Sequence, residues 1–148
     1  MKKKAVSKKR RNTGPGGQVA LKGTVRRSPK SAGMKYLSWE TVEVETLSPL
    51  FHRQLIVGKE IMLARIQLKR GCLVPWHSHA NEQVSSIFEG ALKFWIDGKE
   101  IVVGPGEVLT IPPNMPHKAE ALEDTVAIDV FNPPRADWIN KTDNYLRK

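Results

Sequence analysis

Two histidines separated by one residue, His77 and His79, are the first candidates for chemistry in this chain, and an amide follows at Gln83. Side chains two residues apart on an extended strand point to the same face, so both imidazoles can reach one point in space. Neutral imidazoles combined with oxygen donors suit Zn, Fe, Ni or Mn. The pattern therefore predicts half of a metal site, although a surface strand with two exposed histidines would give the same spacing.

The spacing around this pair resembles the first signature of the cupin family. Gly71, His77, His79 and Gly90 fall on the expected places, and Gln83 stands where that signature usually has an acid. The resemblance implies an all-β fold, the cupin double-stranded β-helix or jelly-roll barrel. A neutral amide in place of a carboxylate would leave a bound ion its full positive charge, which favours Lewis-acid chemistry.

A second stretch resembles the other cupin signature, because Gly106, Pro112 and His117 fit its spacing. Asn114 replaces a glycine there, and asparagine is the residue that next best tolerates a left-handed backbone conformation. Ala121 replaces the usual asparagine and removes no metal ligand. The two signatures together imply one divalent transition metal ion per chain (Ni, Fe, Zn or Mn), held by His77, His79, Gln83 and His117.

Twelve residues beyond His117, the segment AIDVFNPPR places Asp129 and Phe131 on one face of a strand, and Arg135 follows a proline pair. With the His-Ser-His run and the Gln ligand, this segment resembles pectin-degradation cupins of the KdgF type over residues 36 to 139. That resemblance implies ring opening of 4,5-unsaturated uronates. Asp129 would transfer the proton, Arg135 would grip the carboxylate bidentately, and Phe131 would stack on the sugar.

Two other functions fit the same motifs. Many cupins with a three-histidine site are metal-dependent dioxygenases, although Glu is commoner than Gln at position 83 in them. Others bind a sugar or another small molecule without converting it, and their metal is structural.

The basic character of the chain belongs to its first 35 residues. The whole chain carries a net charge of +9, yet residues 1–35 hold 12 of the 24 Lys and Arg and no acidic residue. Residues 36–148 therefore contain 12 basic and 15 acidic residues. We expect residues 1–35 to be a disordered tail and residues 36–148 to form the barrel. Nucleic-acid binding is then expected only non-specifically, through the tail.

From Trp39 onward, short runs of alternating apolar residues indicate β-strands. Strands are predicted at 41–47, 61–69, 84–89, 91–97, 100–103, 107–111 and 125–131, with a helical turn within 135–146. A hairpin is predicted about Gly90, and a tight turn at Asp97-Gly98.

The remaining composition bears on location and assembly. Cys72 is the only cysteine, so no internal disulfide forms, and a reducing cytoplasmic location is expected. No run of 18 apolar residues exists that could span a membrane. Cupin barrels often pair through sheet edges, so we expect a homodimer acting on a uronate sugar. Met34 is a candidate start, with residues 1–33 dispensable.

Overall fold

The computed structural model describes residues 33–148, and those from Tyr36 to Lys148 form one compact unit. The predicted disordered tail lies almost entirely outside the described residues. The regular elements, in chain order, are β1 (Glu45–Ser48), β2 (Phe51–Val57), β3 (Met62–Leu68), β4 (Leu73–His77), β5 (Glu82–Glu89), β6 (Leu92–Ile96), β7 (Lys99–Val103), β8 (Val108–Ile111), β9 (His117–Ala121), β10 (Thr125–Asn132) and α1 (Ala136–Ile139).

The strands form two antiparallel sheets, which confirms the predicted all-β jelly-roll barrel. The larger sheet has the order β1-β2-β3-β10-β5-β8, and the smaller has the order β4-β9-β6-β7. Burial alternates along the central strands, as in β3 and β10, so every second side chain enters the space between the sheets. The apolar part of that space is filled by residues such as Met62, Ile66, Ile87, Phe94 and Ile111. In this part of the chain, the only helix has four residues, and no helix could cross a membrane.

The predicted hairpin about Gly90 is wrong. Strand β5 belongs to the larger sheet and β6 to the smaller one, so the chain passes from sheet to sheet at this corner. Gly90 has a φ of +78°, and a Cβ at this position would collide with the Asp124 carbonyl and with Thr125. The glycine therefore allows close approach of two backbones instead of closing a local turn.

Two other turn predictions are confirmed. Asp97 and Gly98 have φ values of 49° and 68°, and they join β6 to β7 in the antiparallel register expected of a two-residue hairpin. Asn114 has a φ of 64°, as the substitution for glycine in the second signature predicts. This left-handed residue lets the chain turn just before β9 and its first residue, His117.

The early chain differs from the sequence prediction. The alternating run at 41–47 becomes a strand only from Glu45, because the residues before it form a turn in which the Thr41 N–H donates to the Ser38 carbonyl. Strands β2 and β9 are not predicted by the sequence pattern. Strand β2 carries Arg53, a fully buried cation, and its charge interrupts the apolar pattern expected of a core strand.

Arg53 ties the end of the described chain to the larger sheet. Its Nε donates to Glu45 at 2.9 Å and its Nη1 to Asp143 at 2.7 Å. Asp143 also accepts from Arg147 at 3.0 Å, so two cations and two carboxylates share one network. The network fixes the segment from Asp143 onward against the barrel, close to the histidines described next.

Candidate metal centre and substrate cavity

Three of the four histidines of the chain converge at one end of the space between the sheets. His77 is the last residue of β4, His117 is the first of β9, and the two are paired across the strands. His79 joins them, and one ring nitrogen from each of the three lies within 4.8 Å of the others. The sequence-predicted histidines are therefore brought together.

His79 does not share a strand with His77, contrary to the simplest expectation from their spacing. Strand β4 ends at His77, and His79 lies in the connection to β5. The connection is held in place because the Asn114 N–H donates to the His79 carbonyl at 2.7 Å. The loop before His117 thus positions His79 as well, so both signatures cooperate in building the cluster.

The backbone fixes the tautomer of all three rings. Each Nδ1 lies against a carbonyl oxygen: His77 against Pro75 at 2.8 Å, His79 against Asn81 at 3.0 Å, and His117 against Met115 at 2.8 Å. A carbonyl only accepts, so every Nδ1 must carry the proton. Each Nε2 is then left with a lone pair, as a metal ligand requires.

The Gln83 side chain completes the donor set from the opposite sheet. It is buried on β5, and its Nε2 donates to the Ser85 hydroxyl at 2.8 Å. That bond turns Oε1 toward His79, whose Nε2 lies 3.0 Å away. Both of these atoms present lone pairs, so the contact is repulsive unless a cation lies beside them.

This donor set fits a divalent transition metal. Ligand atoms at adjacent corners of an octahedron with bonds of about 2.1 Å lie about 3.0 Å apart, which matches the spacing of His79 Nε2 and Gln83 Oε1. Three neutral imidazoles and one amide oxygen suit Zn, Ni, Fe or Mn better than Mg or Ca, which prefer all-oxygen sites.

Electrostatics keep the imidazoles neutral. Burial, aided by the neighbouring His117, lowers the pKa of His77 to about 4. Burial and the Arg135 guanidinium lower the pKa of His79 to about 4, and burial also lowers the pKa of His117. At neutral pH the rings therefore carry no proton on Nε2 that a metal would have to displace.

Asp129 lies on β10 with its side chain in the same cavity, and Val130 points the other way, as the alternation predicts. Burial raises the pKa of Asp129 to about 6, although the Ser85 hydroxyl and Arg135 act against the shift. Its Oδ1 has no hydrogen-bond partner among the described residues. The structure thus provides a buried carboxyl group that can hold a proton near neutral pH and has a free oxygen to deliver it.

Arg135 is buried just before α1, and most of its hydrogen-bonding capacity is already used. Its Nε and Nη2 donate to the two carboxylate oxygens of Asp137 at 2.9 and 2.7 Å, and Nη2 also donates to the Tyr145 hydroxyl at 2.8 Å. Only Nη1 is without a partner among the described residues. Asp137 occupies the fork with which Arg135 was expected to bind a substrate carboxylate, so in this structure only Nη1 is open to a ligand.

Phe131 forms a wall of the cavity and contacts both the histidine cluster and Arg135. Its ring meets His79 edge-on at 5.7 Å and Trp138 at 5.0 Å, while the Arg135 guanidinium lies 5.3 Å from its centre. Trp138 in turn lies between Arg135 at 4.6 Å and Arg53 at 4.4 Å. These contacts fix the direction of the Arg135 side chain.

Comparison with known proteins agrees with this architecture. A family model described as a cupin domain matches residues 64–131, which contain all four candidate metal ligands and Asp129. The chain contains a cupin domain. The matched part of this cupin begins in β3 and ends with Phe131 in β10, so Arg135 and the residues after it lie outside the match.

The cupin also resembles proteins of the KdgF type. The pectin degradation protein KdgF of Dickeya dadantii (strain 3937) is 26% identical over 98 residues, which are 64% of this chain and 89% of the relative. The structure of KdgF from Halomonas sp. matches with a TM-score of 0.67 at 24% identity, covering 71% of this chain and 98% of that one. An RmlC-like cupin from Shewanella frigidimarina NCIMB 400 matches with the same TM-score at 28% identity, covering 71% and 96%.

The sequence pattern does not reveal two neighbours of the site. Tyr145 stacks on His77 with ring centres 5.0 Å apart, and Asp137 occupies the Arg135 fork. Asp137 follows Arg135 by two residues and could have been suspected as an ion-pair partner. Tyr145 carries no such local signal, because its position depends on the long-range ion pair between Arg53 and Asp143.

Proposed function

We propose that this cupin opens the ring of 4,5-unsaturated uronate monosaccharides released from pectin- or alginate-type polysaccharides. The observation that carries the proposal is the buried Asp129 carboxyl, with a raised pKa and a free oxygen, in one cavity with His77, Gln83 and His117. The likeness to a relative named for pectin degradation supports it.

The reaction is an isomerisation, so no oxidant or co-reactant is required. The bond between C1 and the ring oxygen breaks, the C1 hydroxyl loses its proton, and C1 becomes an aldehyde. The ring oxygen stays on C5 as a ketone, and C4 gains a proton as the double bond is lost. The essential demand on the protein is a proton delivered to carbon, which a carboxyl group with a pKa near the working pH can meet.

Residues of this chain divide the remaining tasks. Asp129 holds and delivers the proton, Arg135 binds the substrate carboxylate through Nη1, and Phe131 forms the apolar wall against the sugar ring. His77, His79, Gln83 and His117 would hold one divalent ion per chain, which would polarise a substrate oxygen. The cavity volume is about 50 Å³, the space of only one or two waters, so the sugar enters as side chains of the wall move apart.

Absorbance of the conjugated double bond in 4,5-unsaturated galacturonate tests the proposal. The metal-replete protein should abolish that absorbance faster than the spontaneous reaction does. Asp129→Asn should reduce kcat by at least about 100-fold, the usual contribution of a general acid. Asp97→Asn is the matched control, because Asp97 is an exposed carboxylate in the β6–β7 turn.

An equal loss of activity in both variants would contradict the role of Asp129. No rate above background with unsaturated galacturonate, glucuronate or an alginate-derived sugar would contradict the reaction itself. The dioxygenase alternative would then be measured as O₂ uptake, and the binding-only alternative as sugar binding without a product.

We further propose a homodimer in the cytoplasm, with residues 1–35 as a separate tail and the barrel at 36–148. Leu73 and Trp76 on β4, an edge strand of the smaller sheet, are 47% and 58% exposed and offer an apolar contact surface. Sedimentation of the intact chain tests the dimer. Sedimentation of a truncation starting at Met34 tests whether the barrel folds without the tail. A monomer contradicts the dimer, and a truncation that fails to fold contradicts a dispensable tail.

A further inference from the structure

Tyr145 contacts both the histidine cluster, through His77, and Arg135. Its ring stacks on His77 with an interplanar angle of 27°, and its hydroxyl accepts a hydrogen bond from Arg135 Nη2 at 2.8 Å. No other side chain of the described residues touches a candidate metal ligand by stacking and Arg135 by hydrogen bonding. Tyr145 therefore lies beside both a candidate metal ligand and the residue proposed to bind the substrate carboxylate.

The hydroxyl of Tyr145 is an open donor. It accepts from Arg135, but its own proton has no acceptor among the described residues. Arg135 Nη1, on the same guanidinium, is likewise without a partner and is buried. The Tyr145 hydroxyl and Arg135 Nη1 are therefore free to donate, and the two groups are linked by the hydrogen bond from Nη2 to the hydroxyl. Asp137 accepts from the other donors of the guanidinium.

The segment that carries Tyr145 is firmly attached. Asp143, two residues earlier, forms a buried ion pair with Arg53, and Leu146, the next residue, is buried in the core. The Lys148 N–H donates to the Leu47 carbonyl at 3.0 Å. A side chain between such anchors loses little conformational freedom when it binds a ligand.

We propose that Tyr145 is a substrate-binding residue, whose hydroxyl donates to one oxygen of the uronate carboxylate while Arg135 Nη1 donates to the other. The choice of a uronate rests on the proposed function. Together the two residues replace the bidentate guanidinium grip that Asp137 prevents, so the acid group is recognised by one cation and one neutral donor.

Tyr145→Phe tests this assignment, since phenylalanine keeps the ring on His77 and removes only the hydroxyl. The probes are saturated galacturonate, which cannot react, and its uncharged methyl ester, with binding to the metal-loaded protein measured by NMR titration. The variant should bind galacturonate 10- to 100-fold more weakly, the range for a lost hydrogen bond to a charged group, and should bind the ester nearly as before. Tyr36→Phe is the matched control, because Tyr36 is 99% exposed.

The outcomes separate this proposal from the proposed function. Unchanged galacturonate binding in Tyr145→Phe overturns it, and an equal loss for acid and ester overturns it too, because the tyrosine would then only shape the pocket. Wild-type protein that binds neither probe also overturns it. Selective loss of acid binding supports the clamp even if no unsaturated uronate is converted, in which case only the reaction is refuted. Where conversion occurs, KM should rise with kcat little changed.

Discussion

Replacing Asp129 by asparagine isolates the cost of burying this carboxylate. Burial raises the pKa of Asp129 from an ordinary 3.8 to about 6. The folded state disfavours the ionised form of Asp129. This group therefore lowers the free energy of unfolding as the pH rises above 3.8, and the loss is complete above about pH 6. At 1.36 kcal/mol for each pKa unit, the full cost is about 3 kcal/mol.

Asparagine cannot ionise, so Asp129→Asn should gain stability over wild type as the pH rises. Between pH 4.5 and 8 the difference in unfolding free energy should grow by about 2 kcal/mol in favour of the variant. Urea denaturation of chelator-treated protein measures it, since a bound cation would itself favour the carboxylate. Taking the difference between the unfolding free energies of variant and wild type removes the contribution of the histidines, which are the same in both proteins.

A difference that stays constant from pH 4.5 to 8 would refute a raised pKa for Asp129. It would also remove the physical basis for its use as a proton donor. Asp97→Asn is the control for replacing a carboxylate by an amide, because position 97 lies exposed in the β6–β7 turn.

The remaining predictions concern stability and metal content. Arg53→Met removes one of the two cations that pair with Glu45 and Asp143 and leaves only Arg147 to compensate them, so it should cost about 3 kcal/mol in urea unfolding. Gly90→Ala should destabilise more than Gly98→Ala does, because both have positive φ but only Gly90 also meets backbone atoms where the Cβ would lie. His77→Ala should lower metal content by elemental analysis, whereas His52→Ala, outside the cluster, should leave it unchanged.

The histidine cluster could be predicted from sequence because its spacing is local within each signature. His77 and His79 lie two residues apart, and the loop before His117 carries its own turn signals in Pro112 and Asn114. The strands beside them alternate clearly, so their inward faces could also be assigned. What joins the two stretches is closure of the sheets, which the family resemblance implied and periodicity alone did not.

The surroundings of Arg135 could not be predicted in the same way. The sequence shows a cation after two prolines, but its available hydrogen bonds depend on which carboxylate and hydroxyl fold against it. Strand β2 is not predicted because Arg53 interrupts its apolar alternation. A buried arginine needs charged partners, and those of Arg53 lie 8 residues away, at Glu45, and 90 residues away, at Asp143. Gly90 was misassigned because a corner between sheets and a hairpin turn both favour glycine.

The position of Trp138 also makes its fluorescence a reporter of ligand binding at the site. This indole is 5% exposed and lies between two guanidiniums, one of which belongs to Arg135. A ligand that hydrogen-bonds to Arg135 changes the electric field at the Trp138 ring, and the wavelength of tryptophan fluorescence depends on that field. Replacing Trp39, Trp76 and Trp95 by phenylalanine would leave a single fluorophore beside the site, so that occupancy could be followed without a label and without turnover.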